Sequence, residues 1–344
     1  MNTLFPSNTS NSPHIVVLGA GAIGGYIGAC LIHAGAKVTL FGRASARETL
    51  RSNGYTLTDL HQKHLQIAPD QIQFSIDPQA LQLADVVLVT VKSRDTEDAI
   101  QLLQRHAKPH ASIISFQNGV GNAEKLARSL PHLQVIAGMV PFNVVTLPHG
   151  HLHCGTEGTL CVARHETLKD LLPWFERAGL PLEQHTHFTE VQWGKLILNL
   201  NNAVNALSDL PLKQELSQRA YRQCLALLMD ETLQVLKTAQ IKPAKISKVS
   251  PALLPSVLRL PDVIFKRLAA SMLKIDEQAR SSMWEDLQRQ RSTEVNELNG
   301  AVVKLANACG TSAPLNARMV ALIQAAEIGP RQGMSGDALL RALR

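Results

Sequence analysis

Lys195, Asn199 and Asn202 follow one another at spacings of four and three residues, which places an ammonium and two carboxamides on one face of a helix. The surrounding stretch, Trp193 to Asn205, is otherwise mostly apolar. Four asparagines are costly there, because asparagine is a poor helix former and a buried amide needs a partner. Two readings account for them: the polar wall of a ligand cleft, or an amide network that ties helices together. Lys92 and Asn118 each stand just past an apolar run with strand character, Asp85–Val91 and Ser112–Phe116. In an open α/β sheet ligands bind beyond the carboxyl ends of the strands, so a lysine and an amide at two such ends share one ligand-facing edge. Taken singly, Lys92 reads equally as a surface lysine and Asn118-Gly119 as an ordinary turn. Ser292 or Thr293 is placed to cap a helix holding Glu294, which by itself makes that carboxylate a solvated first-turn acid.

The elements that must position such groups begin with His14–Gly24, H-I-V-V-L-G-A-G-A-I-G. A short apolar strand runs into G-x-G-x-x-G and then an alanine-rich helix, the setting of a dinucleotide-binding turn. Gly19 permits the tight turn, Gly21 lets the backbone approach a pyrophosphate, and Gly24 lets the helix pack on the strand. Ala20, Ala22 and Ile23 complete the loop, and the helix N-terminus there aims its N–H groups at phosphate. The next strand, Lys37–Phe41, ends without the Asp or Glu that would hold an adenosine ribose. Gly42-Arg43 follows instead, and a guanidinium suits a bidentate grip on a 2′-phosphate. NADP(H) is therefore expected over NAD(H); the plain alternative is that Arg43 and Arg47 are solvated surface arginines.

The chain has 344 residues, enough for two domains, and 45% apolar with 18% charged residues is the composition of a folded globular protein. Strand and helix alternate from His14 to Phe188, which predicts a Rossmann-like, doubly wound α/β sheet, with antiparallel strands or hairpins added at its edge between Val135 and Val162. Helical periodicity then takes over in Val191–Leu207, Gln214–Ala239, Asp276–Arg289, Thr293–Ala308 and Pro314–Ala326, which predicts an all-helical second domain. The expected scheme is a flexible tail (1–13), an NADP-binding domain (14–188), a helical substrate and catalytic domain (189–330) and a C-terminal tail (331–344). Pro243, Pro251, Pro255 and Pro261 punctuate Lys242–Leu273, a connection expected to pack over the core or cleft rather than on a membrane.

The net charge of +6 is spread along the chain with no basic run interleaved with aromatics, so nucleic-acid binding is not indicated; the excess suits anionic cofactors and substrates. Five cysteines without a C-x-x-C pair fit a reducing cytoplasm rather than a disulfide framework. The first residues lack signal-peptide character, and no apolar stretch reaches membrane-spanning length. His151 and His153 share a strand face beside Cys154, but no carboxylate or second cysteine falls at a convincing ligand spacing. No metal is expected there, nor at His185 and His187.

In order along the chain, G-A-G-A-I-G (Gly19–Gly24), Arg43, V-K (Val91–Lys92), Q-N-G-V-G (Gln117–Gly121), W-G-K-L-x-L-N (Trp193–Asn199), S-S-M-W-E-D (Ser281–Asp286) and T-E-V-x-x-L-N-G (Thr293–Gly300) resemble the ketopantoate reductase family. The resemblance spans about Ile15 to Ala326. It implies NADPH-dependent reduction of 2-dehydropantoate to (R)-pantoate, on the route to pantothenate and coenzyme A. It assigns Lys195 as general acid, and Asn118, Lys195, Asn199, Asn202 and Ser282 to a small 2-oxo acid substrate. Lys92, Asn118 and Glu294 join the glycine turn and Arg43 at the cofactor, and a homodimer is left open. Partial desolvation in a domain cleft is expected to lower the Lys195 pKa into a useful range.

Two departures bear on the substrate. The family's next helix asparagine falls on Ala203, with Asn202 and Asn205 nearby, and an asparagine before the serine falls on Ala279. The alternative readings are a related NADP-dependent reductase of another 2-oxo acid, and a non-catalytic NADP(H)-sensing protein. The joint presence of lysine, serine and glutamate speaks against the sensor, which needs no proton donor.

Overall fold

The computed structural model describes residues 12–246, 249–268, 278–330 and 332–344. Contacts divide the chain into two units: one runs to Gln117 and resumes over Asn122–Thr186, and the other comprises Asn118–Gly121 and His187–Arg344. The expected N-terminal tail lies outside the described residues up to Asn11.

The first unit is built on β1 (Ile15–Leu18), β2 (Val38–Phe41), β3 (Tyr55–Asp59), β4 (His64–Ile67), β5 (Gln73–Ser75), β6 (Val86–Val89), β7 (Ser112–Ser115), β8 (Gln134–Met139), β9 (Val144–Thr146), β10 (His151–Cys154), β11 (Leu160–Ala163) and β12 (Leu182–His185). Its helices are α1 (Ala22–His33), α2 (Ala44–Asn53), α3 (Thr96–His106), α4 (Asn122–Ser129) and α5 (Leu172–Arg177). Eight strands form one sheet in the order β12-β11-β8-β7-β6-β1-β2-β5, parallel except where β11 meets β8. The short β-branched runs work as central strands because both of their faces are covered. Ile15 and Val17 of β1 enter one apolar core together with Val86 and Leu88 of β6, while Val16, Leu18, Val87 and Val89 enter the core on the opposite face. This is the doubly wound α/β arrangement read from the sequence.

The region Val135–Val162 departs from the expectation of edge hairpins. β8 continues the parallel sheet, and only β11 adds in antiparallel fashion. β9 and β10 instead join β3 and β4 in a separate four-stranded sheet, order β4-β3-β10-β9, in which β10 runs parallel to β3. His151 and His153 therefore lie on an inner strand, and both imidazoles hydrogen-bond Thr58 Oγ1, at 2.8 and 2.7 Å. That partner stands more than ninety positions away in sequence.

The second unit contains α6 (Phe188–Asn199), α7 (Asn201–Ser208), α8 (Leu212–Ser217), α9 (Arg219–Thr238), α10 (Leu254–Leu258), α11 (Asp262–Leu268), α12 (Ser282–Gln288), α13 (Asn299–Ala308), α14 (Pro314–Ile328) and α15 (Gly336–Leu343), with no strand among the described residues. The helix expected over Gln214–Ala239 breaks at Gln218, where the backbone is extended (φ −99°, ψ 122°). Arg222, fully buried on α9, donates to the carbonyls of Leu216, Leu258 and Leu260 and to Asp262 Oδ1. Its guanidinium stacks 4.1 Å from the Phe265 ring centre. One buried cation thus ties the described part of the proline-punctuated connection to the core, and Leu254, Leu258 and Phe265 are buried there.

The C-terminal segment is not a tail. Ser335 caps α15 through its side chain, Leu339 and Leu343 are buried in the helical core, and Tyr221 donates its hydroxyl to Met334 O at 2.7 Å. The amphipathic run Ala338–Leu343 finds its apolar partner in α9, a helix more than a hundred residues earlier.

Candidate active site

At the end of β1, Leu18 lies opposite Val89 of β6, and Val89 lies opposite Ser115 of β7, so three strands release their loops at one edge. The β1 chain turns at Gly19 with φ +109°, where an added Cβ would stand 2.8 Å from Val91 N. Thr90 pins this turn, its hydroxyl donating to Gly19 O at 2.8 Å. A Cβ on Gly24 would collide with Thr90 Oγ1 and Gly19 O, so only glycine lets α1 start this close to the strand. Gly21 is different: a Cβ there would meet nothing within 4 Å, which leaves open space over the turn. Gly21 is also the N-cap of α1, with no side-chain cap and no acid in the first turn. First-turn N–H groups beside open space, with Ala20, Ala22 and Ile23 only partly buried around them, fit a dinucleotide pyrophosphate.

Arg43 follows β2 and Gly42 as the N-cap residue of α2. Its side chain is 74% exposed and stands 3.8 Å from Asp95, a surface pair too loose to commit the guanidinium. Lys92, half-buried, caps the short helical turn Ser93–Asp95 after β6.

Asn118 leaves β7 and belongs by its contacts to the helical unit. Its side-chain amide donates to Glu294 Oε2 at 3.3 Å, and the Gly119 backbone runs so close to Glu297 that a Cβ would stand 2.7 Å from that residue's carbonyl oxygen. Glu294 corrects the sequence expectation twice. It is buried, at 8% exposure, rather than solvated, and it sits in a turn ahead of α13 rather than in the first turn of a helix. Glu297 N and Leu298 N both donate to Glu294 O, and the helix starts only at Asn299. The cause lies outside the segment: Glu327 of α14 takes the Thr293 N–H at 2.7 Å, while the Thr293 hydroxyl accepts from Val295 N, closing a local turn.

Lys195 lies near the C-terminal end of α6. Desolvation lowers its pKa from 10.5 to about 8. The four asparagines divide between the two readings offered by the sequence. Asn205 is fully committed: Oδ1 accepts from Ser281 N at 2.9 Å, and Nδ2 donates to Leu210 O and Glu215 Oε2. Asn201 also donates to Glu215. Asn199 and Asn202 make no side-chain hydrogen bond among the described residues, so their amides are available to a ligand. Of the two candidates near Ala203, Asn205 is therefore committed to structure, while the Asn202 amide is uncommitted.

Ser281 and Ser282 divide in the same way. Ser281 is buried and caps α12, its hydroxyl accepting from Trp284 N and donating to Asn202 O, whereas Ser282 is exposed. The helix expected from Asp276 starts at Ser282; Asp276 itself lies outside the described residues.

Family models for the two halves of ketopantoate reductase match here, the PanE/ApbA model over residues 15–166 and its C-terminal model over residues 187–327. The chain belongs to the ketopantoate reductase family. It is 25% identical to the 2-dehydropantoate 2-reductase of Pyrococcus horikoshii over 318 residues, covering 91% of this chain and 97% of that one. The Archaeoglobus fulgidus 2-dehydropantoate 2-reductase is 26% identical over 329 residues, covering 92% and 98%. Among solved structures, a ketopantoate reductase from Ralstonia eutropha superposes with a TM-score of 0.77 at 29% identity, covering 91% of this chain and 98% of that one. As a member of this family, the protein is a nicotinamide-dependent oxidoreductase with a small-molecule substrate. No helix among the described residues is long and apolar enough to cross a membrane.

Reading the sequence missed two groups. Thr90, which fixes the glycine turn, looked like any strand-end threonine. Glu215 gave no signal, since beside Lys213 and Gln214 it reads like any exposed acid. Cys161, Glu183 and His185 also come together across β11 and β12, with ligand atoms within 4.8 Å of one another. Burial and Glu183 push the Cys161 thiol up to about 11, and it donates to Thr159 O, so this ketopantoate reductase family member holds a neutral thiol beside a His185–Glu183 pair there.

Proposed function

We propose that this protein reduces 2-dehydropantoate to (R)-pantoate with NADPH, as a cytoplasmic enzyme of pantothenate and coenzyme A biosynthesis, with Lys195 as general acid. The observation that carries the reading is Lys195, an ammonium whose pKa falls to about 8, on α6 with the uncommitted amide of Asn199, while the uncommitted amide of Asn202 lies on α7, the helix expected over Val191–Leu207 being broken at Leu200. Bound NADPH would supply the hydride for the keto carbon. The residues of Gly19–Gly24 would hold the pyrophosphate and Arg43 the 2′-phosphate.

As negative charge develops on the keto oxygen, Lys195 stabilises it and donates a proton to that oxygen, leaving a neutral amine that solvent reprotonates. A pKa near 8 keeps the lysine charged near neutrality yet makes it a better donor than an ordinary ammonium. Asn199, Asn202 and Ser282 bind the hydroxyl and carboxylate of the 2-oxo acid. Asn118, whose amide is oriented by Glu294, and Lys92 border the nicotinamide ribose and the substrate.

Ala203 and Ala279, where the family pattern has asparagines, support a second reading in which another 2-oxo acid is the preferred substrate. Steady-state NADPH consumption with ketopantoate and a panel of 2-oxo acids separates the two. The highest kcat/KM is expected for ketopantoate; a higher value for another acid moves the assignment to that acid, and no turnover of any would remove the enzyme reading.

A further inference from the structure

Glu215, on α8, is fully buried, and its carboxylate takes hydrogen bonds from Asn201 and Asn205, neither of them assigned to cofactor or substrate. Its Oε2 receives two amides, Asn205 Nδ2 at 3.1 Å and Asn201 Nδ2 at 3.3 Å. Its Oε1 has no hydrogen-bond partner, and neither does the buried Oδ1 of Asn201. Two orphaned acceptors, on side chains already joined by one hydrogen bond, are explained together by a single proton on Glu215. A protonated acid would pair with the amide through two bonds, the observed Asn201 Nδ2–H to Oε2 and a second from Oε1–H to Asn201 Oδ1. An ionised carboxylate would leave both acceptors unsatisfied in a site without water access, at a cost that burial normally prohibits.

The clamp continues outward. Asn205 accepts the Ser281 N–H at 2.9 Å, and the Ser281 hydroxyl donates to Asn202 O at 3.1 Å while capping α12. Asn202 and Ser282, the two residues at the far end of this chain of bonds, are those assigned above to the 2-oxo acid. We propose that Glu215 is a positioning residue, which as a neutral acid locks Asn201 and Asn205 and thereby sets the Ser281 turn that aims Asn202 and Ser282 at the substrate. The identity of the substrate rests on the function proposed above; the clamp itself does not.

Burial pushes the Glu215 carboxyl up to about 8, in keeping with a neutral acid. The titratable groups that feel it are Tyr221 and Cys224 of α9, both with raised pKa values and therefore uncharged. On the other packed elements, Arg280 pairs with Asp209, α7 adds only the two amides, and Lys213 of α8 is exposed.

The test compares Glu215→Gln, Glu215→Ala and Asn205→Ala. Glutamine reproduces the protonated acid, with an oxygen for both amides and an N–H for Asn201 Oδ1. Glu215→Gln should keep KM for the 2-oxo acid within about twofold of wild type, while Glu215→Ala and Asn205→Ala should each raise it roughly tenfold with little change in NADPH affinity. The ratio of wild-type to Glu215→Gln KM should climb as pH rises through about 8, a comparison from which Lys195 cancels. Two readouts need no turnover. The infrared carboxylic-acid carbonyl band of wild type at neutral pH should vanish in Glu215→Gln, and amide hydrogen exchange over residues 279–288 should accelerate in Glu215→Ala but not in Glu215→Gln. A Glu215→Gln variant that behaves like Glu215→Ala, or an absent acid band, overturns the proposal whatever the substrate proves to be. Should Glu215→Ala fail to fold, the glutamine variant and Asn205→Ala carry the same comparison.

Discussion

Asn118 and Glu294 stand 176 positions apart in sequence, yet the amide of one donates to the carboxylate of the other at 3.3 Å. Asn118, the third residue after β7, thereby pairs with a turn of the helical unit, to which Asn118–Gly121 belongs, and its amide is oriented by that bond.

If that bond orients Asn118, Glu294→Ala and Asn118→Ala should each lower kcat/KM by about 1.5–3 kcal/mol, the range for hydrogen bonds to charged groups. Their losses should be less than additive, because contacting residues couple. A double-mutant cycle measures this, and full additivity would show that the two act separately.

Replacing Arg43 with alanine should weaken NADPH by about 1.5–3 kcal/mol and NADH far less. The loose pairing with Asp95 adds little to this balance, since exposed ion pairs contribute about 0–1 kcal/mol. Titrating both cofactors decides it: equal weakening removes Arg43 from the 2′-phosphate.

Lys195→Ala should cut turnover roughly a hundredfold or more, with cofactor affinity nearly unchanged. In the wild type, reduction should slow as pH rises through about 8, because the proton to be donated is lost there. A kcat profile flat across that range, or near-normal turnover in the folded variant, excludes Lys195 as the acid.

The asparagines should separate by phenotype. Asn205→Ala leaves the Ser281 N–H and Glu215 short of a buried partner and should cost about 1–3 kcal/mol of stability in denaturant unfolding. Asn199→Ala, Asn202→Ala and Ser282→Ala should lower kcat/KM toward the 2-oxo acid by about 1–3 kcal/mol each at little cost in stability, while leaving NADPH binding intact. Unfolding midpoints for these three that fall as far as that of Asn205→Ala would reassign them to structure.

Leu339→Ala, in the last helix, should destabilise the protein by about 2–5 kcal/mol, the usual cost of a cavity in a packed core. A loss within a few tenths would mean that α15 is dispensable to the helical core.

What could be read from sequence was set by residues within a few positions of one another. The Ile15–Gly24 strand and turn and the central parallel strands rest on local sterics and periodicity. Where a distant partner decided the outcome, periodicity misled. Thr293–Ala308 scans as one helix, but Glu327 takes the Thr293 N–H and bends Glu294 into a buried turn. The C-terminal segment scans as a tail, but an apolar groove on α9 gives its leucines a place to bury. Spacing grouped Asn199 and Asn202 with Lys195 but could not say what the other two asparagines do; the burial of Glu215 against Asn201 and Asn205 commits those two to structure and leaves Asn199 and Asn202 uncommitted. A buried polar group must find its hydrogen bond wherever the fold puts one, and that location is a property of tertiary packing rather than of spacing.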